Sequence, residues 1–262
     1  MDCPPKYFVQ SLARGLSILQ AFTSERKRLT LTELAEITHM NRTAVQRFTC
    51  TLMALGYLGR DDHKAFFLSS KVLSLGFTYL QSSEIIQLTA SHLKDFSERI
   101  GLTVNMAILD GTDIVFLYRH EVHRFLKYDL RAGSRLPSYC TASGKVLLAA
   151  LKNEALRARI RNMSLEKTTS HTIIDGEQLF QEILKTRETG IGVCDRELSL
   201  SLYSIAVPLL NHEQKMVAAI NLSLSSEDAT PSAVENATYQ IVEQGRNVSE
   251  VLGYQGAYPV IP

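Results

Sequence analysis

Cysteine is scarce in this chain, and long apolar runs are missing altogether. Its four cysteines, Cys3, Cys50, Cys140 and Cys194, stand far apart with no C-x-x-C pair. That spacing argues against a disulfide framework or a zinc cage and for reduced, mostly buried thiols. No apolar stretch approaches the roughly 18–20 residues a membrane span needs. The opening "MDCPPKYFVQSLARG" lacks a charged-then-apolar signal pattern, so a soluble cytoplasmic protein without a membrane partner is expected. His120 and His123 form an H-x-x-H, but neither a glutamate–histidine pattern nor a cysteine accompanies them. A solvated strand edge is the expectation there, with no metal and no cofactor. Catalytic signatures are absent too: there is no G-x-S-x-G, and no Cys–His or carboxylate pair stands out.

What is present suits two modest domains. The 262 residues are 45% hydrophobic and 21% charged, enough to bury a core and too apolar for disorder. The net charge of +1 is uninformative, but its distribution is uneven. Residues 1–80 hold ten Lys/Arg against six Asp/Glu, a balance of +4, which leaves −3 for residues 81–262. A basic first third joined to an acidic remainder points to a polyanion partner for the first part alone.

Leu12, Leu16 and Leu19 recur at helical spacing and predict an amphipathic first helix. "TLTE" (Thr30 to Glu33) reads as a capping box for a second helix. Asn41 is a good N-cap for a third, with Val45, Phe48, Leu52 and Leu55 as its buried stripe and Gly56 as its end. Off that stripe, Arg42 with Gln46 and Thr43 with Arg47 are i,i+4 neighbours in the first two turns, where a recognition helix meets bases. "YLGRDDHKAFFL" then reads as strand, turn and strand, with Arg60, His63 and Lys64 at the tip. Three helices and a basic two-stranded wing make a winged helix-turn-helix. The competing reading is a small helical domain whose charged face is merely solvated.

Residues 71–100 predict helix with a bend at "QSSE", a linker expected to transmit the orientation of the two domains. "TVNMAILDGTDIVFLYR" is a hairpin about Asp110-Gly111. "RFLKYDL" reads as a strand and "GSRLP" as a turn. "SYCTASGKVLLAAL" comes next, a loop of small residues feeding an apolar helix. Two charged helices, three strands ("GIGVCDREL", "YSIAVPLL", "KMVAAINLSL") and a closing helix near Ala233 to Leu252 complete an α+β domain on an antiparallel sheet. A helix start such as "TASGK" offers free amides and a partial positive charge to a carboxylate or phosphate. It lacks the upstream Gly and the following Ser/Thr of a nucleotide-binding loop, and "TGIGVC" lacks the third Gly of a dinucleotide fingerprint. An ordinary capped helix start is the plain alternative.

The succession "SLARGLSILQAF", "LTLTELAE", "NRTAVQRF", "GYL", "GSRLP", "TASGKVLLA" and "SIAVPLLN…MVAAINLS" resembles the IclR-type transcriptional regulators from about Ser11 to Leu252. Within them, "DRELSLSLYSIAVP" and "RLPSYCTASGKVLLA" look most like the subgroup controlling aromatic-acid catabolism through the β-ketoadipate pathway. The resemblance implies a DNA-binding winged helix that dimerises, a GAF-like effector domain and assembly as a homodimer, usually a dimer of dimers. It implies an effector pocket at Ala142 and Ser143, with Leu136, Phe125 and Tyr128 nearby and Cys194, Leu202, Ser204, Asn221 and Ser223 across the cavity.

The resulting expectation is a winged-helix domain at 8–70, a linker at 71–100 and an effector domain at 101–254. Asn41, Arg42, Thr43, Gln46, Arg47, Arg60 and Lys64 would meet double-stranded operator DNA, and the pocket would sense a small, aromatic organic acid. The rival is a metabolite-binding protein or enzyme whose helical domain serves dimerisation only.

Overall fold

The computed structural model describes residues 4–23, 25–122 and 130–262. The chain divides into two compact units, Met1–Leu80 and Gln81–Pro262.

In the first unit, helices α1 (Gln10–Gln20), α2 (Leu31–Thr38) and α3 (Arg42–Ala54) surround a core of Ile18, Leu34, Val45, Leu58 and Phe66. Local chemistry fixes where the second and third helices begin. Thr30 Oγ1 accepts from the Glu33 amide at 3.3 Å while the Glu33 carboxylate accepts from the Thr30 amide at 2.7 Å, a complete capping box. Asn41 Oδ1 accepts from the Ala44 amide at 2.8 Å. Strands β1 (Leu58–Arg60) and β2 (Phe66–Leu68) pair antiparallel, and Leu29 bridges to Phe66.

The first unit buries less than its periodicity suggests. Leu12 is 63%, Leu16 50% and Leu55 52% exposed, and Ile18 is the residue α1 buries completely. The 3.6-residue period marks an apolar face without saying what covers it. Here Leu12 and Leu16 join Leu52, Leu55, Tyr57 and Leu75 around an open apolar groove. Helix α4 (Lys71–Ser82) buries no residue, leaving Leu73 and Phe77 in solvent. Ser83 separates it from α5 (Glu84–Ile100), which buries Thr89, Leu93, Phe96 and Ser97. Cys50 is likewise exposed.

Among the described residues the second unit holds a six-stranded antiparallel sheet in the order β5-β4-β3-β8-β7-β6. Its strands are β3 (Thr103–Asp110), β4 (Asp113–His120), β5 (Arg135–Pro137), β6 (Gly192–Asp195), β7 (Leu202–Leu210) and β8 (Met216–Ser225). Helices cover both faces, so the central strands are apolar on both sides. Val104, Met106, Ile205 and Leu222 pack with Leu93 and Phe96 of α5 and with Ile241 and Val248 of α9 (Pro231–Val251). Ala107, Ala206 and Ala219 pack on the other face with α6 (Ala142–Ala149), α7 (Asn153–Arg161) and α8 (Gly176–Thr189). The segment read as a turn, "GSRLP", holds a turn at Gly133 (φ 88) and then the edge strand β5. Arg135 fastens that strand to the β3–β4 turn through Asp110 (2.6 Å) and Asp113 (3.2 Å). The strand expected at "RFLKYDL" lies largely outside the described residues.

The pairing of β3 with β4 carries one irregularity. Met106 pairs with Tyr118 but Ala107 with Phe116, so Leu117 is the extra residue of a β-bulge. Side chains alternate along a strand, and a bulge reverses that parity. Ile114 and Phe116 face α6, and beyond the bulge Arg119 does too, opposite Asn105.

Candidate nucleic-acid interface and ligand pocket

Arg42, Thr43, Gln46 and Arg47 are exposed on the first two turns of α3, while Val45 and Thr49 anchor its other side. Asn41 stands beside them with its side-chain oxygen committed to the cap. The wing turn is built by Asp61, which no sequence motif marked. Its Oδ1 accepts from the amides of His63 (3.0 Å) and Ala65 (2.9 Å), and Arg28 Nη1 lies 2.5 Å from its Oδ2. The Ala65 amide bond is the main cause holding the Asp61 carboxyl below its ordinary value. Lys64 sits at the tip in the left-handed region (φ 65) with its side chain in solvent. Arg60 is exposed but directed along the wing. Its guanidinium lies 5.2 Å from the Phe66 ring centroid, and Nε donates to the Lys64 carbonyl at 3.3 Å. Helix, exposed polar face and wing together present cations and amide groups suited to phosphates and base edges.

In the second unit, Leu136, Ala142, Ser143, Leu202, Ser204, Asn221 and Ser223 line one cavity. Cys194 is fully buried behind it, with Sγ donating to the Cys140 carbonyl at 3.1 Å. Phe125 and Tyr128 lie outside the described residues. The strand register explains the grouping. Cys194, Ser204, Ser223 and Thr103 stand opposite one another across β6, β7, β8 and β3; Ala206, Asn221, Asn105 and Arg119 form the next row.

That second row is wired together. Ser143 Oγ donates to Asn221 Oδ1 at 3.0 Å, and Asn105 Nδ2 reaches the same oxygen at 3.4 Å. Asn221 Nδ2 donates to Ser223 Oγ at 3.4 Å, and Arg119 Nη1 to Asn105 Oδ1 at 2.7 Å. Thr141 of "TASGK" lines the cavity too, and Asn105, Arg119 and Leu198 line it without having been anticipated. The available signal was the lone Asn in "TVNMAILD", a polar side chain at a doubly covered strand position.

Thr141 caps α6 by accepting from the Gly144 amide at 3.3 Å. Helix geometry leaves the Ala142 and Ser143 amides without intrahelical acceptors, at an end that favours negative charge. Gly144 is required here because an added Cβ would overlap the carbonyl oxygen and Cα of Ser138. Lys145 is buried one turn into the helix, 2.5 Å from Glu197 and 3.5 Å from Glu182. Burial raises the Glu197 carboxyl above its ordinary value, against the pull of Lys145. Burial also pushes Cys140 up to about 12 and Cys194 to about 11, so both remain thiols near neutral pH rather than nucleophiles. Among the described residues no group of three or more His, Cys, Asp or Glu could hold a metal ion. No described helix is long and apolar enough to cross a membrane.

Residues 11–62 match the IclR helix-turn-helix domain, and residues 77–250 match the bacterial transcriptional regulator IclR C-terminal domain. The chain belongs to the IclR family. It is a helix-turn-helix DNA-binding transcriptional regulator with a C-terminal effector-binding domain, and the family is regulatory rather than enzymatic. The Pca regulon regulatory protein of Pseudomonas putida is 38% identical over 229 residues, covering 87% of this chain and 78% of that protein. The p-hydroxybenzoate hydroxylase transcriptional activator of Acinetobacter baylyi is 33% identical over 229 residues, covering 86% and 84%. A solved transcriptional regulator from Rhodococcus sp. RHA1 superposes with a TM-score of 0.78 at 33% identity, over 94% of this chain and 99% of that one. These similarities support the aromatic-acid catabolism subgroup. The rival reading, a helical domain serving dimerisation only, is set aside by the helix-turn-helix match.

Proposed function

We propose that this regulator uses Arg42, Thr43, Gln46 and Arg47 to read or flank bases, with Asn41 capping the same helix end against the backbone. Arg60 and Lys64 hold the sugar–phosphate chain from the wing. Winged-helix, linker and effector segments are assigned to 8–70, 71–100 and 101–254. As a regulator acting on operator DNA, it works in the cytoplasm.

The effector is a small aromatic organic acid. The observation that carries this reading is the opening of α6 onto a cavity with apolar walls and a hydrogen-bonding floor. A carboxylate meets the Ala142 and Ser143 amides and Ser143 Oγ. Ser204, Asn221 and Ser223 bond its polar substituents, and Leu136 and Leu202 line the ring. Cys194 supports the loop from behind. The relatives' control of Pca and p-hydroxybenzoate genes is what favours an aromatic acid over a short keto acid. Homodimerisation through the apolar groove at Leu12, Leu16 and Leu55 covers those side chains, and pairing of dimers gives the tetramer.

Thermal unfolding against a panel of hydroxybenzoates and short keto acids tests the reading. An acid at about 100 times its dissociation constant adds about 2.7 kcal/mol. Stabilisation by a hydroxybenzoate, abolished by Ser143→Phe in a protein that still binds DNA, supports it. Stabilisation by keto acids alone replaces the aromatic assignment, and no stabilisation by any acid overturns the pocket.

A further inference from the structure

Arg119 is a guanidinium turned inward where the strand pattern alone would have turned it out. Before the bulge, even-numbered residues of β4 face the cavity; after it, Arg119 does. Its side chain is 9% exposed. Nε and Nη2 donate to Glu121 Oε2 at 3.2 and 3.0 Å, and Nη1 donates to Asn105 at 2.7 Å. A guanidinium carries five N–H groups in one plane. Two of them, one on each Nη, have no acceptor among the described residues.

A purely architectural role explains this poorly. An uncharged residue at a buried site avoids the desolvation cost that a cation incurs. Bulges beside binding sites commonly re-aim a side chain. This one delivers a planar two-pronged donor to the end of the chain Ser143–Asn221–Asn105–Arg119. Asn221, to which Ser143 of the α6 start is bonded, and Arg119 thus stand at opposite ends of one row, two strand spacings or about 10 Å apart at the backbone.

We infer that Arg119 is a specificity-determining residue that donates to a second acidic or hydroxyl oxygen of the effector, at the end opposite the carboxylate held by α6. The pocket therefore prefers ligands with oxygen functions at both ends over acids with one plain apolar end. This rests on the effector-pocket reading above and adds to it the identity of the second anchor.

Isothermal titration of the full-length protein with benzoate, 4-hydroxybenzoate and terephthalate decides it. The native chain is expected to bind terephthalate or 4-hydroxybenzoate at least tenfold more tightly than benzoate. Arg119→Gln should bring those ratios close to one with benzoate affinity unchanged. Arg119→Lys should fall between, keeping the charge and losing the fork. Glu121→Gln, which removes the competing negative charge, should tighten terephthalate specifically. Equal weakening of all three ligands in Arg119→Gln, or an undiminished ratio, would make the residue structural and overturn the inference. Binding of none of the acids by the native chain would overturn the pocket reading itself, and this inference with it.

Discussion

Lys145→Met tests how the start of α6 is held. Lys145 is 1% exposed and Glu197 6%. Their contact ties the second turn of α6 to the segment after β6 that supplies Leu198 to the cavity. Methionine keeps most of the volume and deletes the positive end. Glu197 is then stranded, and its Oε2 has no hydrogen-bond partner among the described residues even in the native chain. If the carboxylate stays charged, breaking a buried pair costs about 3–5 kcal/mol. If it takes up a proton, holding a carboxyl of ordinary pKa near 4.3 protonated at pH 7 costs about 3.7 kcal/mol. The cheaper route sets the effect, so a loss of about 3–4 kcal/mol is expected at pH 7. The two routes separate with pH. A protonated Glu197 in the folded variant means the folded state binds a proton that the unfolded state releases above its own pKa. Stability then falls as pH rises, by about 1.4 kcal/mol per pH unit, and the deficit shrinks toward pH 5. Urea titrations followed by far-ultraviolet circular dichroism at pH 5, 6 and 7 measure this, with Lys145→Met/Glu197→Gln expected to recover most of the loss. A deficit that shrinks toward pH 5 identifies the protonated route and one equally large at pH 5 the charged route, whereas a deficit under about 1 kcal/mol at pH 7 would refute the reasoning.

Gly144→Ala should destabilise the second unit by about 1–3 kcal/mol through overpacking against Ser138, and weaken acid binding, as unfolding and calorimetry would report. Arg47→Ala should cost about 1–3 kcal/mol in operator binding and relax base preference if the residue pairs with guanine. Equal losses on operator and random duplexes would count against base reading. Lys64→Ala should weaken all duplexes alike and reduce the dependence of log K on log salt by about one unit, measured by fluorescence anisotropy across a salt series.

Much of the fold is legible in the chain because it is encoded locally. The capping box at Thr30, the cap at Asn41 and the hairpin at Asp110-Gly111 each rest on residues a few positions apart, and each forms. Two kinds of feature escape. Periodicity identifies Leu12, Leu16 and Leu55 as apolar but not that their face stays open, because coverage depends on what packs there. Arg119 escapes for a different reason. Counting by twos from Ile114 and Phe116 assigns Tyr118 to the cavity and Arg119 to the other face, and the bulge at Leu117 reverses that. A bulge is fixed by the pairing of β3 with β4, and residue types in β4 alone carry no mark of it.

The cavity's size bears on how it could act as a sensor. The volume open to the centre of a water molecule is about 30 Å³, whereas an apolar cavity that accepts benzene measures about 150 Å³. A ring-sized acid must therefore displace lining groups. The floor is the least able to give way, since β3 and β8 are buried on both faces and paired along their length. The strand β5 is the softest wall: it has three residues, pairs among the described residues with β4 alone and is partly exposed. Expansion at Leu136 and the connection into α6 is accordingly the least costly route. A ligand that fits only the expanded pocket shifts the equilibrium by its differential affinity for the two states. An acid small enough to enter without expansion would bind and shift nothing, however tightly it held to the α6 amides.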